Sequence, residues 1–294
     1  MRQPAQRLPP VTPVLLARAR TLIRLLQAIS PRLAARVAFW IFLKPQRREL
    51  ASADATFMAT AKLHVIPSST DRVQVYEWGS GSRTVLIAHG WGSRASRFAP
   101  LAAALVARGW RVLALDAPGH GLSPGRSSSL PQFMAALDAV AVALGPVQAL
   151  IGHSLGALAI VCARSSSAPS WFSALRKVVL ISMPSGAPFL VEAFHGMFGI
   201  QPATASHLQK LFRRRFGTGP KFFVAAPAAA ISHVPTLVIH DRSDDIVPFA
   251  HGEELLPALG NARLLTTEGL GHSALTRDNA TMLAIGEFLD EAAP

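Results

Sequence analysis

Gly152-His153-Ser154-Leu155-Gly156 follows the apolar run Val147 to Ile151 and opens a stretch rich in alanine and leucine. Strand, sharp turn and helix in that order are the setting a nucleophilic serine requires. A hydroxyl is a poor nucleophile until a strained turn holds it in the open, within reach of a base. Glycines two residues before and two after the serine leave the backbone room to close on itself. Five residues do not decide the matter alone, and the flanking sequence carries the rest.

Upstream, an apolar strand from Arg83 to His89 runs into His89-Gly90-Trp91-Gly92. A second, Trp110 to Leu115, runs into Asp116-Ala117-Pro118-Gly119-His120-Gly121-Leu122-Ser123. Downstream, Val234 to His240 ends at Asp241, Asp244 and Asp245, with Val247-Pro248 following, and Gly269-Leu270-Gly271-His272 comes later. The chemistry-bearing residues therefore occur in the order serine, aspartate, histidine.

With these five motifs in this order, residues 60 to 292 resemble the α/β-hydrolase family. The resemblance implies an α/β fold: a mostly parallel central sheet with helices on both faces, and a site on loops at the carboxyl ends of the strands. It also implies roles, with Ser154 as nucleophile, His272 as general base and Asp244 as the acidic member. The backbone N–H groups of Trp91 and Leu155 would form the oxyanion hole. Counting back from Val247-Pro248 selects Asp244, with Asp245 as the competitor. The family's usual loop has glycine where this chain has Asp241, which adds a third carboxylate of undetermined effect.

The other histidines read as structural. His89 shapes the turn that aims the Trp91 amide, His153 lies beside the serine but points elsewhere, and His120 holds a loop position of the same kind. His240 at a strand end and His251 in a helix have no second ligand at useful spacing, so no metal is expected. No cofactor is expected either. The single cysteine, Cys162, reads as a buried core thiol, and one cysteine allows neither an internal disulfide nor a cysteine cluster.

Half of the 294 residues are apolar and 16% are charged, which suits one well-buried globular domain. The charge is uneven. Residues 1–50 carry ten Arg and Lys against Glu49 alone, nine of the chain's +12, with Arg2 and Arg7 at its start. No helix-turn-helix, zinc-finger or aromatic RNA-binding signature accompanies them, so nucleic acid is not expected as a partner. Residues 1–50 read as a basic amphipathic helical extension. Leu15, Ala19, Leu22, Ile23 and Leu26 share one helical face, with Arg18 and Arg24 off it. Ser30-Pro31 caps a second helix that ends before Pro45. Its apolar core, Val37 to Leu43, falls far short of the roughly 20 residues that cross a bilayer. Two readings remain: residues 12–43 lie on a membrane surface through Phe39, Trp40 and Phe42, or the extension packs across the body or covers the active-site mouth, with its arginines in water. A cytoplasmic location is expected in either case.

Residues 51–294 read as the hydrolase domain. Strands Lys62 to Ile66 and Arg72 to Trp78 are antiparallel neighbours joined by the turn Pro67-Ser68-Ser69-Thr70-Asp71. Helices follow at Arg97 to Arg108, Leu130 to Leu144 and Leu155 to Arg164, and a strand at Lys177 to Met183. The alternation stops between Pro184 and His233. A small helical cap at about 185–232 is expected there, with helical spacing at Leu208, Leu211 and Phe212. Its phenylalanines, Phe189, Phe194 and Phe198, either line an acyl pocket or bury the cap, and Arg213 to Arg215 read as a solvated face.

The expected chemistry is acyl transfer on a small-molecule ester or thioester of small to medium acyl length. Serine at the nucleophile position disfavours the dehalogenase and epoxide-hydrolase routes of similar proteins, which use an aspartate there. Peptidase and carbon–carbon hydrolase chemistry, and a non-catalytic binding or regulatory protein on the same scaffold, are the alternatives.

Overall fold

A computed structural model describes residues 13–69, 71–167, 170–220, 231 and 233–292. Arg2 and Arg7 of the basic extension, residue 12, Thr70 of the early turn, and residues 221–230 and 232 of the insertion lie outside these. In chain order the helices are α1 (Pro13–Ile29), α2 (Pro31–Phe42) and α3 (Ser52–Ala59), followed by strands β1 (Lys62–Pro67), β2 (Arg72–Trp78) and β3 (Arg83–Ala88). Then come α4 (Ala99–Ala107), β4 (Trp110–Asp116), α5 (Leu130–Leu144), β5 (Ala149–His153), α6 (Leu155–Ser167) and β6 (Lys177–Ile181). The chain continues through α7 (Ala187–Phe198), α8 (Pro202–Phe216), β7 (Thr236–Asp241), α9 (Ala250–Leu255), β8 (Ala262–Thr267), α10 (Gly271–Ala274) and α11 (Asn279–Asp290).

The strands form one sheet in the order β1-β2-β4-β3-β5-β6-β7-β8. β1 and β2 are antiparallel, β2 meets β4 antiparallel, and the remaining pairs are parallel. β5 and β6 are buried along their whole length, as strands covered on both faces must be. From β3 the chain steps to β4 on one side and returns to β5 on the other. The loops after β3 and β5 therefore open beside each other at the carboxyl ends of the strands, where open parallel sheets hold their sites. Sheet residues such as Val85, Ile87, Val112 and Ile151 share a core with Phe98, Leu101 and Leu105 around α4 and with Ile285, Phe288 and Leu289 of α11.

Several elements differ from the sequence reading. The expected helix at Arg97–Arg108 is a short 3-10 turn, Ala95–Phe98, leading into α4, and the expected strand at Lys177–Met183 stops at Ile181, where Ser182 takes a φ of +47°. The expected strand Val234–His240 is displaced to Thr236–Asp241, which places Asp241 as its last residue.

The chain divides into two compact units. One comprises Pro45–Ser185 with Ala225–Pro294 and contains the whole sheet; the other comprises Met1–Lys44 with Gly186–Val224. The sequence reading kept extension and insertion apart. In the structure, helices α1, α2, α7 and α8 share one core built on Ile23, Ala35, Ala38, Phe194, Phe198 and Leu208. Phe42 meets Phe194 and Phe212 edge-on, with ring centroids 5.1 and 5.2 Å apart, so Phe194 and Phe198 are buried in this core. Gln27 fastens the two halves: its Nε2 donates to the carbonyl of Gly199 (3.0 Å) and its Oε1 accepts from the amide of Gln201 (2.7 Å). The face foreseen on α1 is split. Ile23 is buried and Ala19 and Leu26 are half-buried, whereas Leu15 and Leu22 are exposed.

Candidate active site

The site grows from the turn between β5 and α6. Ser154 adopts a φ of +53°, a left-handed conformation that non-glycine residues rarely take and that marks a strained functional position. The strain is held from both sides. The Ser154 amide donates to Ile181 O (2.8 Å) on β6, and its carbonyl accepts from Leu158 N (3.1 Å), opening α6. The flanking glycines are required by space. A Cβ on Gly152 would stand 2.5 Å from Ala157 Cα, and one on Gly156 would stand 2.5 Å from the carbonyl oxygens of Ala88 and His89. Gly156 thus lets the turn approach the loop that follows β3. Leu155 is the first residue of α6, so its amide has no partner four residues back within the helix.

That opposing loop is pinned by two neutral histidines. His89 Nδ1–H donates to Gly90 O (2.7 Å), while its Nε2 accepts from Ala117 N (3.0 Å). His120 Nδ1–H donates to Pro118 O (3.0 Å), while its Nε2 accepts from Gly92 N (3.0 Å). Burial pulls the two imidazoles down to about 4 and about 3, so both ring nitrogens keep their separate donor and acceptor roles. Trp91 sits between the two anchored glycines. Asp116, buried at the end of β4, ties the same region: its carboxylate accepts from Ala95 N, Leu122 N and the Tyr76 hydroxyl.

The acid and the histidine come from the loops after β7 and β8. His272 Nδ1–H donates to Asp244 Oδ2 (2.8 Å), and the other carboxylate oxygen accepts from Ile246 N (3.0 Å) and Val247 N (2.8 Å). His240 Nε2 lies 3.5 Å from Oδ2. Burial pushes the Asp244 carboxyl up. The close approach of His240 and the hydrogen bonds from His272 and the Val247 amide outweigh it and hold the group well below the usual carboxylate range. The competitor Asp245 is exposed and Asp244 is buried.

Asp241 has a clear structural part that the sequence left open. Its fully buried carboxylate accepts four hydrogen bonds. Oδ1 takes Ser243 N (2.9 Å) and Gly271 N (3.0 Å), and Oδ2 takes Thr267 Oγ1 (2.6 Å) and Leu270 N (3.1 Å). Burial pushes its carboxyl up, and these four donors bring it below its ordinary value. The two residues before His272 are thereby clamped to the strand end that leads to Asp244. His153 also has more than the structural part expected: its Nε2–H donates to the carbonyl of His272 (2.8 Å), tying the serine turn to the histidine loop. Burial first, and then the neighbouring His272, hold His153 down to about 3. Arg97 completes the frame by donating to the carbonyl of Ser273 and to Thr276 Oγ1 (3.1 Å).

A family model described as the Alpha/beta hydrolase family matches residues 85–284, which include each of these loops. The chain belongs to this family. Among curated relatives, this hydrolase is 28% identical over 274 residues to a non-heme haloperoxidase of Rhodococcus erythropolis, covering 74% of this chain and 96% of the relative. It is 31% identical over 257 residues to an uncharacterized protein of Mycobacterium tuberculosis, covering 81% and 83% of the two chains. Among solved structures, an esterase of Pyrococcus furiosus superposes with a TM-score of 0.63 at 21% identity, covering 86% of this hydrolase and 98% of the esterase. Among the described residues, no group of three His, Cys, Asp or Glu side chains is placed to hold a metal ion.

Proposed function

We propose that this hydrolase cleaves carboxylic esters, or thioesters, of small to medium acyl length through Ser154, His272 and Asp244. The observation that carries the reading is the 2.8 Å bond between His272 Nδ1 and Asp244 Oδ2, with Ser154 on a positive-φ turn at the end of β5. Asp244 fixes the tautomer with the proton on Nδ1, leaving Nε2 to act as base. Ser154 Oγ attacks the carbonyl carbon as His272 Nε2 takes its proton, and the N–H groups of Leu155 and Trp91 receive the oxyanion. Collapse releases the alcohol or thiol with the proton returned by His272. Water then attacks the acyl-enzyme by the same route and regenerates Ser154.

The test is hydrolysis of p-nitrophenyl esters of increasing acyl length, with fluorophosphonate labelling in parallel, by the native chain and by Ser154→Ala. Turnover should fall by up to about a millionfold in the variant if the triad acts as a unit. Asp244→Asn should cost about ten-thousandfold through the wrong histidine tautomer. A native chain that neither turns over an ester nor takes the label overturns the reading in favour of a binding scaffold.

A further inference from the structure

The two compact units differ sharply in charge. The unit built from Met1–Lys44 and Gly186–Val224 carries thirteen Arg and Lys against Glu192 alone. The sheet-bearing unit carries sixteen of each sign, so the chain's whole net charge of +12 belongs to the smaller unit. Arg18, Arg20, Arg24, Arg32, Arg36 and Lys44 are all exposed, and among the described residues none of them has an acidic partner.

Apolar side chains stand out among these cations. Leu15, Leu22, Leu25 and Ile29 of α1 are exposed, Ile29 by 78%. At about 100° per residue they fall within an arc of roughly 100° that has Arg18 inside it and borders the buried face carrying Ile23. On α2, Leu33, Arg36 and Trp40 recur at helical spacing, and Lys44 follows just past the helix end. Trp40 is 60% exposed, and the Lys44 ammonium lies 4.4 Å from its ring centroid. Among the described residues, no helix is long and apolar enough to cross a membrane. Exposed surfaces that set aliphatic side chains beside Arg18 on α1, and Leu33 and Trp40 beside Arg36 on α2, match the boundary of an anionic bilayer, where headgroups take the cations and the acyl margin takes the apolar tips.

We propose that this unit docks the protein on anionic lipid surfaces through α1 and α2, with Leu22, Leu25, Ile29 and Trp40 entering the headgroup–acyl boundary. A polyanion such as a nucleic acid or an acidic protein would use the arginines but leave the apolar side chains in water. The two sets of residues therefore distinguish the occupants.

The experiment is co-sedimentation of the full chain with vesicles of phosphatidylcholine alone and of phosphatidylcholine with phosphatidylglycerol, at about 0.1 M salt and at about 0.5 M salt. Binding should appear on the anionic vesicles and weaken at high salt. The double variant R18Q/R36Q, whose arginines neighbour the exposed apolar side chains of α1 and α2, should lose about twenty-five-fold in partitioning, at about fivefold per arginine. Ile29→Ser with Leu25→Ser keeps every charge and should also lose at least about tenfold, because apolar area enters the bilayer. Both variants alter exposed positions, and circular dichroism confirms that each is folded. No binding to anionic vesicles overturns the proposal. So does binding that the arginine variant loses but the Ile29→Ser/Leu25→Ser variant retains in full, since that is the behaviour of a polyanion site.

Discussion

Replacing Asp241 with asparagine tests whether the chain's departure from the family's glycine is a clamp on the histidine loop. The carboxylate is fully buried and accepts four donors, two of them the amides of Leu270 and Gly271 immediately before His272. Asparagine keeps one acceptor oxygen and turns the other into a donor. Placed on the Thr267 side, its NH2 can donate to a reoriented hydroxyl, so the smallest loss is one orphaned Leu270 amide together with the charge. Charge-assisted bonds contribute about 1.5–3 kcal/mol each and an orphaned buried donor costs about 1–3 kcal/mol, so destabilisation of about 2–4 kcal/mol is expected. Asp241→Ala, which orphans all four donors, should cost more. Release of the residues before His272 should also slow fluorophosphonate labelling of Ser154 by about ten- to a hundredfold, since misplacement of a reacting group by about 1 Å costs on that order. Urea unfolding and labelling rates under folded conditions read the two effects separately. The exposed Asp245→Asn should stay within about 0.5 kcal/mol of the native chain. If Asp241→Asn is as stable as Asp245→Asn and labels at the native rate, the clamp is refuted.

Stability should fall as pH drops below about 6.5. His89, His120 and His153 are held by burial at about 4, about 3 and about 3, so the unfolded chain binds their protons first. Each adds a loss of about 1.4 kcal/mol per pH unit until its folded value is reached, up to about 4 kcal/mol per unit for the three. A urea midpoint that does not move between about pH 7 and pH 5 contradicts this. Asp244 and Asp241 act in the same direction lower down, because carboxyls depressed in the fold contribute stability above about pH 4 that is lost on further acidification. Gly156→Ala should destabilise by about 1–3 kcal/mol, because its Cβ meets backbone oxygens, and should abolish labelling by pushing the serine turn off the loop after β3. Cys162, whose thiol burial pushes up to about 12, should resist iodoacetamide in the folded chain and react once urea unfolds it; rapid modification of the native protein would show the thiol to be exposed.

Much of the sheet was legible because buried parallel strands are written as apolar runs ending in glycine loops. β2 and α5 were read with the bounds observed, and β3, β4 and β5 to within two residues. β8 escaped because Ala262–Thr267 shows no clean alternation and is only half-buried at the sheet edge. α7 lies within the helical cap expected at about 185–232, but its bounds were not read although their signals are present, with Pro188 in the first turn and Gly199 in the left-handed conformation at its end. These signals stand where the strand–helix alternation breaks, so periodicity alone sets no bounds there.

The sequence by itself determined the order of the motifs, the turn that carries Ser154 and the concentration of arginine near the start of the chain. These are local properties, set by backbone strain, apolar periodicity and composition within short windows. Tertiary structure alone decided that Asp241 holds the amides of Leu270 and Gly271, that His153 holds the carbonyl of His272 119 positions away, and that extension and insertion share one core. Hydrogen bonds and packing join whatever folding brings within a few ångströms, and a carboxylate's partners across such a separation leave no pattern in the sequence around it.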